Sequence, residues 1–317
     1  MRGGGKPATS EAVKLLLYRL QAHALRALFA LTALLPFHAR REIVAWACRA
    51  VVALSPQLRR RVDDNLRLIR PGMGTGERRA LRGRIAGNAG RTLAGIWFPH
   101  DFARACVGLE AEGSGVDVLR AAARDRSGAI IVVGHFGHWE ALRHILRREG
   151  IEIGGLYRPS NNPYYDPIFR EGLEAAGTPI VPKGPTGART MLKHIRGGGI
   201  MAILPDQHVS DGAWLHFMGQ PALTSLSPAE LALRYRVPLV PAFMPEIDGR
   251  LRAIVEAPIP PTDAATMMQA FNDRLGEWVA RHPEQWLWFH RRWKYGRRRA
   301  ADRPAPGPAG GGAMPCS

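Results

Sequence analysis

From about Gly128 onward, short apolar runs alternate with segments in which apolar residues recur every three or four positions. The runs of strand length are Ala129–Val133, Ile153–Tyr157, Pro179–Val181, Ile200–Leu204, Leu239–Phe243 and Leu251–Val255. The helical segments are Trp139–Arg148, Pro163–Ala176, Gly187–Arg196, Pro228–Tyr235 and Thr262–His282. Strands that are apolar on both faces and alternate with helices are typical of a parallel sheet buried between helices. The pattern predicts an α/β fold with a mostly parallel sheet flanked by helices.

The segment before this region is helical in pattern and predicts an N-terminal cap on the α/β part. Apolar residues at helical spacing occur in Glu42–Leu54, in Gln57–Ile69 and from Glu77 to about Trp97. The exposed faces of these helices are predicted to be rich in arginine, including Arg59–Arg61. We divide the chain into an N-terminal segment (1–37), a helical cap (38–110), an α/β part (111–300) and a Pro- and Gly-rich disordered tail (301–317).

The first helical segment, Glu11–Phe37, is apolar but interrupted by charges. Its longest charge-free run, Ala27–Phe37, has 11 residues, whereas a helix needs about 20 to cross a bilayer. No small-residue cleavage site follows it, so a cleavable signal peptide fits poorly. The pattern favours a helix that lies in, or dips into, a membrane surface, with a helix packed on its own domain as the alternative.

Composition excludes several classes of protein. Hydrophobic residues make up 46% of the 317 residues, which is typical of a globular protein with a large core. The three cysteines are too few for a disulfide framework, which favours a reducing compartment. Lys and Arg number 44 against 27 Asp and Glu, giving a net charge of +17. Such an excess predicts an anionic partner: nucleic acid, a phospholipid surface, a phosphorylated substrate or an acidic carrier protein.

The densest candidate chemistry follows the first strand of the α/β part, in the segment GHFGHWE (134–140). Ligands bind at the carboxyl ends of parallel strands, which is where His135 lies. A glycine-flanked bend would let Glu140, in the first turn of the next helix, reach His135. A carboxylate on one imidazole nitrogen fixes the tautomer and makes the other nitrogen a general base. No nucleophile motif such as Gly-x-Ser-x-Gly occurs, so a substrate hydroxyl would attack.

Other interpretations of these histidines stay open. His135 and His138 together with Asp206 and His208 contain metal-ligating residue types, although their spacing matches no established ligand pattern. Either histidine could instead be a hydrogen-bonded core residue, and for His138 this is the favoured interpretation. We expect no metal and no cofactor.

The segment GHFGHWE resembles the His-x-x-x-x-Asp/Glu motif of the glycerolipid acyltransferase superfamily, in the form found in bacterial lipid A biosynthesis (lauroyl/myristoyl) acyltransferases. Four further blocks follow in the family's order, so that the similarity covers roughly Leu15–Lys294. These blocks are LYRPSNNP (156–163), ILPDQ (203–207), FMGQPALTSLSPAELALRYRVPLVPAF (217–243) and PEQWLWFHRRWK (283–294).

The resemblance implies transfer of a fatty acyl chain from acyl carrier protein, or from acyl-CoA, to a hydroxyl of an anionic lipid A precursor. It places the enzyme at the cytoplasmic face of the bacterial inner membrane, held peripherally or by a single N-terminal anchor. Related enzymes acylate phosphatidylinositol mannosides or ornithine lipids, and these acceptors stay open. His208 and Met218 depart from the residues more usual in the family, which leaves the acceptor open.

Carried over residue by residue, His135 is the base and Glu140 its partner. Arg158 and Asn162 of the first block, and Asp206 and Gln207 of the second, are predicted to contact substrate or support the site. Arg158 could face an anionic headgroup or a developing oxyanion, with a structural ion pair as the alternative. Asp206 could support the site or cap the turn that follows it.

Two further classes of protein compete with this interpretation. Aromatic and cationic residues alternate near the C-terminus, a pattern that suits a membrane interface or single-stranded nucleic acid. They are Trp286, Trp288, Phe289, Trp293 and Tyr295, with Arg291, Arg292, Lys294 and Arg297–Arg299. No RNA- or DNA-binding fold motif accompanies them, and we expect no nucleic acid. A catalytically inactive peripheral membrane protein of the same fold is the other alternative.

Overall fold

A computed structural model describes residues 8–294 of the chain. The predicted disordered tail (301–317), Tyr295, Arg297–Arg299 and Cys316 lie outside these residues. Before the central sheet come α1 (Ala8–Thr32), α2 (Phe37–Leu54), α3 (Pro56–Ile69), α4 (Thr75–Trp97) and α5 (Pro99–Ala105). The predicted cap is therefore helical. The Ser55 side chain begins α3 by accepting a hydrogen bond from the Leu58 amide (3.3 Å).

The α/β part alternates strands and helices as the sequence predicts. Its elements are β1 (Ala111–Glu112), α6 (Gly115–Arg124), β2 (Ala129–Gly137), α7 (Ala141–Arg148), β3 (Ile153–Tyr157), α8 (Asp166–Ala176), β4 (Ile180–Pro182), α9 (Pro185–Arg196), β5 (Ile200–Ile203), β6 (Ala213–Phe217), β7 (Gln220–Thr224), α10 (Ser227–Tyr235), β8 (Leu239–Met244), β9 (Glu246–Ile247), β10 (Arg250–Leu251), β11 (Ala253–Val255) and α11 (Ala264–Arg281). A short 3₁₀ helix, Pro283–Gln285, follows α11. The β6–β7 hairpin, α5 and α6 are absent from the sequence prediction.

Seven strands form the central sheet in the order β1-β11-β8-β2-β5-β3-β4. All neighbouring pairs are parallel except β11 with β8, which confirms the predicted mostly parallel sheet. Alternate residues of β2 enter two different cores. Ile130 and Val132 pack toward α10 and α11, whereas Ile131 and Val133 pack toward α6 and α7. Helices therefore cover both faces of the sheet, and the carboxyl end of β2 opens between the two layers.

Gly137 ends β2 and turns the chain toward α7. Its φ angle is +60°, a conformation that glycine adopts without steric cost. The backbone is packed so closely here that a Cβ atom would lie 2.0 Å from the Met244 carbonyl oxygen. The register with β8 shifts between Val133 and Gly137 because of a bulge. Only glycine fits this junction, which positions the segment that carries His135.

The N-terminal helices expose an unusual number of large apolar side chains. No helix within residues 8–294 combines the length and the apolar character needed to cross a bilayer. On α1, Leu16, Leu17 and Leu20 are more than half exposed, and Leu34 just beyond it is 98% exposed. On α2, Trp46 and Leu54 are also largely exposed. Large exposed apolar patches are typical of interaction surfaces, and these side chains are candidates for one.

Candidate functional site

The central sheet brings His135 and Asp206 together. β2 and β5 are parallel neighbours, with Val132 paired to Ile203. His135 lies three residues beyond Val132, and Asp206 lies three residues beyond Ile203. His135, near the end of β2, and Asp206, just beyond β5, therefore lie at the same level of the sheet's carboxyl edge. Parallel α/β sheets bind their ligands at this edge.

Asp206 holds the His135 imidazole by direct hydrogen bonds. The ring Nδ1 donates to Asp206 Oδ1 (2.7 Å), and the His135 backbone amide donates to Oδ2 (2.8 Å). Trp286 Nε1 also donates to Oδ2 (2.9 Å). Burial alone would raise the pKa of Asp206, but its attraction to His135 and these hydrogen bonds lower it to about 2. Asp206 is therefore an ionised carboxylate that fixes His135 with its proton on Nδ1.

Gln207 lies over the face of the His135 ring. Its amide nitrogen is 3.0 Å from Nε2 and 3.5 Å from Nδ1. An amide placed along the Nε2 lone pair would lie much farther from Nδ1, so the near-equal distances place it above the ring plane. The same amide donates to His290 Nε2 (2.9 Å). The in-plane lone pair of His135 Nε2 therefore accepts no hydrogen bond from Gln207.

His290 is the principal site residue that sequence reasoning missed. It lies in a segment that follows α11 and crosses the end of β2, here called the C-terminal strap (residues 283–294). The Leu287 amide donates to the His135 carbonyl (3.0 Å), and Asn65 Nδ2 donates to the carbonyls of Trp288 (2.9 Å) and His290 (2.8 Å). Burial, and then the nearby His135, lower the pKa of His290 to about 4. A neutral His290 ring can accept the hydrogen bond from Gln207.

The predicted contact between Glu140 and His135 is wrong. Glu140 is the residue before α7, and its Oε2 accepts from Arg143 Nη1 at 2.5 Å. No hydrogen bond or ion pair among the described residues joins Glu140 to His135; both ring nitrogens of His135 instead contact Asp206 and Gln207. Glu140 pairs with Arg143 because the Arg143 side chain is only 5% exposed, and a buried positive charge needs a carboxylate. Glu140 lies one helical turn away and supplies it.

Arg143 joins three elements through this pair. Its Nε donates to the Ile153 carbonyl (3.1 Å) and its Nη2 to the Gly177 carbonyl (2.5 Å). The guanidinium therefore connects the start of α7 to β3 and to the turn after α8. Since α7 follows the end of β2, which carries His135, the Glu140–Arg143 pair supports the site by holding the helix behind it.

The Glu140→Gln variant is expected to lose stability. Removing one partner of a buried ion pair leaves the other charge uncompensated, which lowers the free energy of unfolding by about 3–5 kcal/mol. Both side chains are at most 10% exposed, so little solvent screening reduces this effect. Urea unfolding monitored by circular dichroism measures the loss.

Glu174→Gln is the matched control, because Glu174 pairs with Arg170 in an exposed i,i+4 geometry. This control is expected to cost less than about 1 kcal/mol. Equal stability losses in the two variants would contradict the buried-pair assignment of Glu140.

Arg158 and Asn162 lie beyond β3, in the loop that leads to α8. Arg158 is exposed, and its guanidinium contacts Asn161 Oδ1 at 3.4 Å. Asn162 is buried, and its side-chain nitrogen donates to the Tyr18 carbonyl (3.0 Å) and to Gln21 Oε1 (3.2 Å). Asn162 thus ties α1 to this loop. The structure brings neither residue into hydrogen-bond contact with His135, so their predicted substrate contacts stay predictions.

His138 is a buried core histidine, as the favoured interpretation expects. Its Nε2 lies 3.1 Å from Glu246 Oε2 and 3.2 Å from Arg41 Nη2. Burial is the largest influence on its pKa, which is lowered. Within the described part of the chain, no group of three or more His, Cys, Asp or Glu side chains is arranged to hold a metal ion.

The alternating aromatic and cationic residues of the strap do not form an exposed strip. Trp286, Trp288 and Trp293 are at most 2% exposed and pack on Phe217 or on one another. Arg292 is fully buried, with its guanidinium donating to the Leu223 carbonyl (2.6 Å). The prediction of a membrane or nucleic-acid strip is therefore wrong for these four residues. Their alternation reflects a strap whose indoles complete the core.

Comparison with known proteins yields one family and several relatives. Residues 9–295 match the family described as bacterial lipid A biosynthesis acyltransferase. The chain is 26% identical to the lipid A biosynthesis lauroyltransferase of Escherichia coli, over 74% of this chain and 78% of the relative. It is 23% identical to a lipid A biosynthesis acyltransferase of Haemophilus influenzae, over 55% of this chain and 56% of the relative.

The name of a third relative specifies a different acceptor. The chain is 23% identical to a phosphatidylinositol mannoside acyltransferase of Mycobacterium tuberculosis, over 56% of this chain and 58% of the relative. The matched region thus spans little more than half the length of two of these three relatives. The matched family and all three relatives are described by their names as lipid acyltransferases.

Proposed function

The chain belongs to the bacterial lipid A biosynthesis acyltransferase family, and from this premise we propose that it transfers a fatty acyl chain from a thioester donor to a hydroxyl of a lipid A precursor. The observation that carries the proposal is the 2.7 Å hydrogen bond between His135 Nδ1 and Asp206 Oδ1 at the carboxyl end of β2. Acyl transfer to an alcohol needs a base at this position, and an imidazole oriented by a buried carboxylate supplies one.

In the proposed mechanism, His135 Nε2 removes the proton from the acceptor hydroxyl as its oxygen attacks the thioester carbonyl carbon. The tetrahedral intermediate then collapses with cleavage of the carbon–sulfur bond. The proton carried by His135 passes to the departing sulfur, which leaves as a thiol. Asp206 stabilises the imidazolium that exists between the two proton transfers, because its carboxylate already accepts a hydrogen bond from Nδ1–H.

Two neighbours keep the His135 ring in the productive orientation. Gln207 lies against one face of the ring, and Trp139 contacts it edge-on with ring centres 5.2 Å apart. His290 fixes the Gln207 amide through the 2.9 Å contact with its Nε2. Such support matters because proton transfer requires an aligned donor and acceptor. We assign Gln207 and His290 as positioning residues.

The oxyanion of the intermediate needs hydrogen-bond donors. The amide of His138, near the Gly137 turn, already donates to the Met244 carbonyl (2.9 Å) and is therefore not available. Arg158 is exposed and makes a single long hydrogen bond, so its guanidinium is free to turn toward a developing oxyanion or an anionic headgroup. We keep Arg158 as the proposed contact for one of these two charges.

The charge and the exposed apolar surface of the protein support a proposal for the acyl donor and for the location of the enzyme. The net charge of +17 suits both an acidic acyl carrier protein and the anionic cytoplasmic face of the inner membrane. The exposed leucines of α1, with Trp46 on α2, provide the apolar surface for peripheral attachment to that membrane. We propose acyl carrier protein as the donor, with acyl-CoA as the alternative.

A second acceptor class has specific support. The relative from Mycobacterium tuberculosis is named for phosphatidylinositol mannoside and matches at an identity equal to that of the Haemophilus protein. An acyl acceptor of phosphatidylinositol mannoside or ornithine lipid type would use the same His135 chemistry, because each could present a hydroxyl to the base.

Mass spectrometry of lipids from cells with and without the gene tests the proposed reaction. We expect one lipid species to lose the mass of a single acyl chain when the gene is deleted. Restoration by the wild-type gene, and not by a His135→Ala gene expressed at the same level, ties the change to this site. An unchanged lipid profile, together with no acyl transfer by the purified protein from either donor, would contradict the proposed function.

A further inference from the structure

Arg61 of α3 has no charged partner among residues 8–294, unlike Arg67 of the same helix and Arg82 of the neighbouring α4. Arg82 of α4 binds Asp63 of α3 at 2.5 Å, and Arg67 contacts Asp64 at 3.4 Å. Arg61 makes no hydrogen bond or ion pair with residues 8–294, although it is only partly exposed and its Nε atom is buried. The N–H groups of the Arg61 guanidinium are therefore unused, and leaving the buried Nε–H group without an acceptor is unfavourable.

Arg61 faces the catalytic cluster. It precedes Asn65 by four residues in α3, so the two side chains lie on the same side of the helix. Asn65 contacts the strap directly, through the carbonyls of Trp288 and His290. The Arg61 charge is close enough to His290 to lower its pKa, as a smaller contribution after burial and His135. Arg61 therefore lies on the side of α3 that faces the strap, near His290.

Asp206, the carboxylate of the site, pairs with His135 and not with Arg61. Both oxygens of Asp206 already accept hydrogen bonds, from His135 and Trp286. A second cation, the fully buried Arg292, is bound to the neutral oxygens of Leu223 and Thr224. The surroundings of His290 thus favour an anion brought by a ligand.

We propose that Arg61 binds a phosphate group of the substrate next to His290. The planar guanidinium presents paired N–H donors that match phosphate oxygens, and a partly desolvated pair of this kind is strong. This inference rests on the proposed function, because both substrates of that reaction can carry a phosphate. One is a phosphorylated headgroup of the acceptor lipid, and the other is the phosphate of the arm that carries the donor thioester.

Phosphate binding can be measured without catalysis. Ring resonances of ¹⁵N-labelled His290 and His135 are followed by NMR during titration with methyl phosphate, a monoester, and dimethyl phosphate, a diester. We expect saturable shifts with the wild-type protein and a dissociation constant raised about 10- to 100-fold in Arg61→Gln. Arg60→Gln removes an equal charge from the exposed neighbour and should leave the binding unchanged. Absence of saturable shifts, or equal binding by Arg61→Gln, would overturn the proposal.

Kinetics identify the source of the phosphate. If the acceptor carries it, Arg61→Gln raises KM about 10- to 100-fold for a phosphorylated glycolipid and not for the same lipid after phosphatase treatment. If the donor carries it, the loss appears with acyl carrier protein and disappears with an N-acetylcysteamine thioester, which has no phosphate. Arg61→Lys should recover part of the affinity in either case. A fall in kcat that is equal for all these substrates would place Arg61 at the reacting carbonyl and overturn the proposal.

The two assays also separate this inference from the proposed function. Binding of methyl phosphate that depends on Arg61, in a protein without acyl-transfer activity, would retain the anion site and reject the reaction. Acyl transfer that is insensitive to Arg61→Gln would retain the reaction and reject the anion site.

Discussion

His135→Ala is expected to lower kcat for acyl transfer by about 10⁴-fold, the upper range of what a positioned general base contributes. The substitution removes the nitrogen that accepts the acceptor's proton. Asp206 keeps its hydrogen bonds from the backbone amide of residue 135 and from Trp286, and loses only the one from the imidazole. The local structure is therefore expected to be retained. Steady-state kinetics with the acyl donor and acceptor identified by the lipid analysis give the measurement.

Two comparisons separate lost chemistry from lost structure in this variant. His216→Ala removes an exposed imidazole on β6 whose neighbours bind only its backbone, and it should retain full activity. Added imidazole should restore part of the activity of His135→Ala by occupying the space of the missing ring. Activity within tenfold of wild type in His135→Ala, at equal folded protein, would show that another group acts as the base.

Asp206→Asn is expected to lower kcat by about 10⁴-fold through the tautomer of His135. The oxygen at the Oδ2 position accepts from two N–H groups, the His135 amide and the Trp286 indole. An asparagine must place its oxygen there and its NH₂ group opposite His135 Nδ1. The ring then becomes the tautomer with its proton on Nε2, which cannot accept a proton from the substrate.

The tautomer can be read directly from the ¹⁵N chemical shifts of the His135 ring. We expect wild-type protein to carry its proton on Nδ1 and Asp206→Asn to carry it on Nε2. Asp211→Asn, an exposed change nearby in the chain, is the matched control and should affect neither the tautomer nor kcat. Retention of the Nδ1 proton together with full activity in Asp206→Asn would contradict the role given to Asp206.

Much of the fold could be predicted from the sequence because strand and helix periodicities are local properties. β3 matches its predicted limits, Ile153–Tyr157, and four other predicted strands differ by a few residues at their ends. The predicted strand Leu251–Val255 is divided between β10 and β11, which belong to different sheets. The β6–β7 hairpin escaped prediction because its strands are mixed in polarity and half-exposed, so they lack a clear apolar alternation. The indoles of the strap were predicted to be exposed, but they are buried. The prediction failed because the same alternation of aromatic and cationic residues occurs in exposed and in buried segments.

The partner of His135 could not be predicted from spacing along the chain. Glu140 is five residues away in sequence, whereas Asp206 is 71 residues away and adjacent in space. The missing information was the strand order, because β2 and β5 are neighbours only once β3 and β4 lie on the far side of β5. Given that order, equal offsets from the paired Val132 and Ile203 identify Asp206. A buried arginine at position 143 was the signal that Glu140 had another partner.

The interaction between His135 and Asp206 is measured most directly by kcat/KM for His135→Ala, Asp206→Asn and the double variant. If Asp206 acts only by orienting the His135 imidazole, removing both residues costs no more than removing His135 alone. We therefore expect the double variant to be as active as His135→Ala. Losses that multiply, with the double variant about 10⁴-fold below His135→Ala, would mean that the two residues act independently and would contradict the proposed catalytic pair.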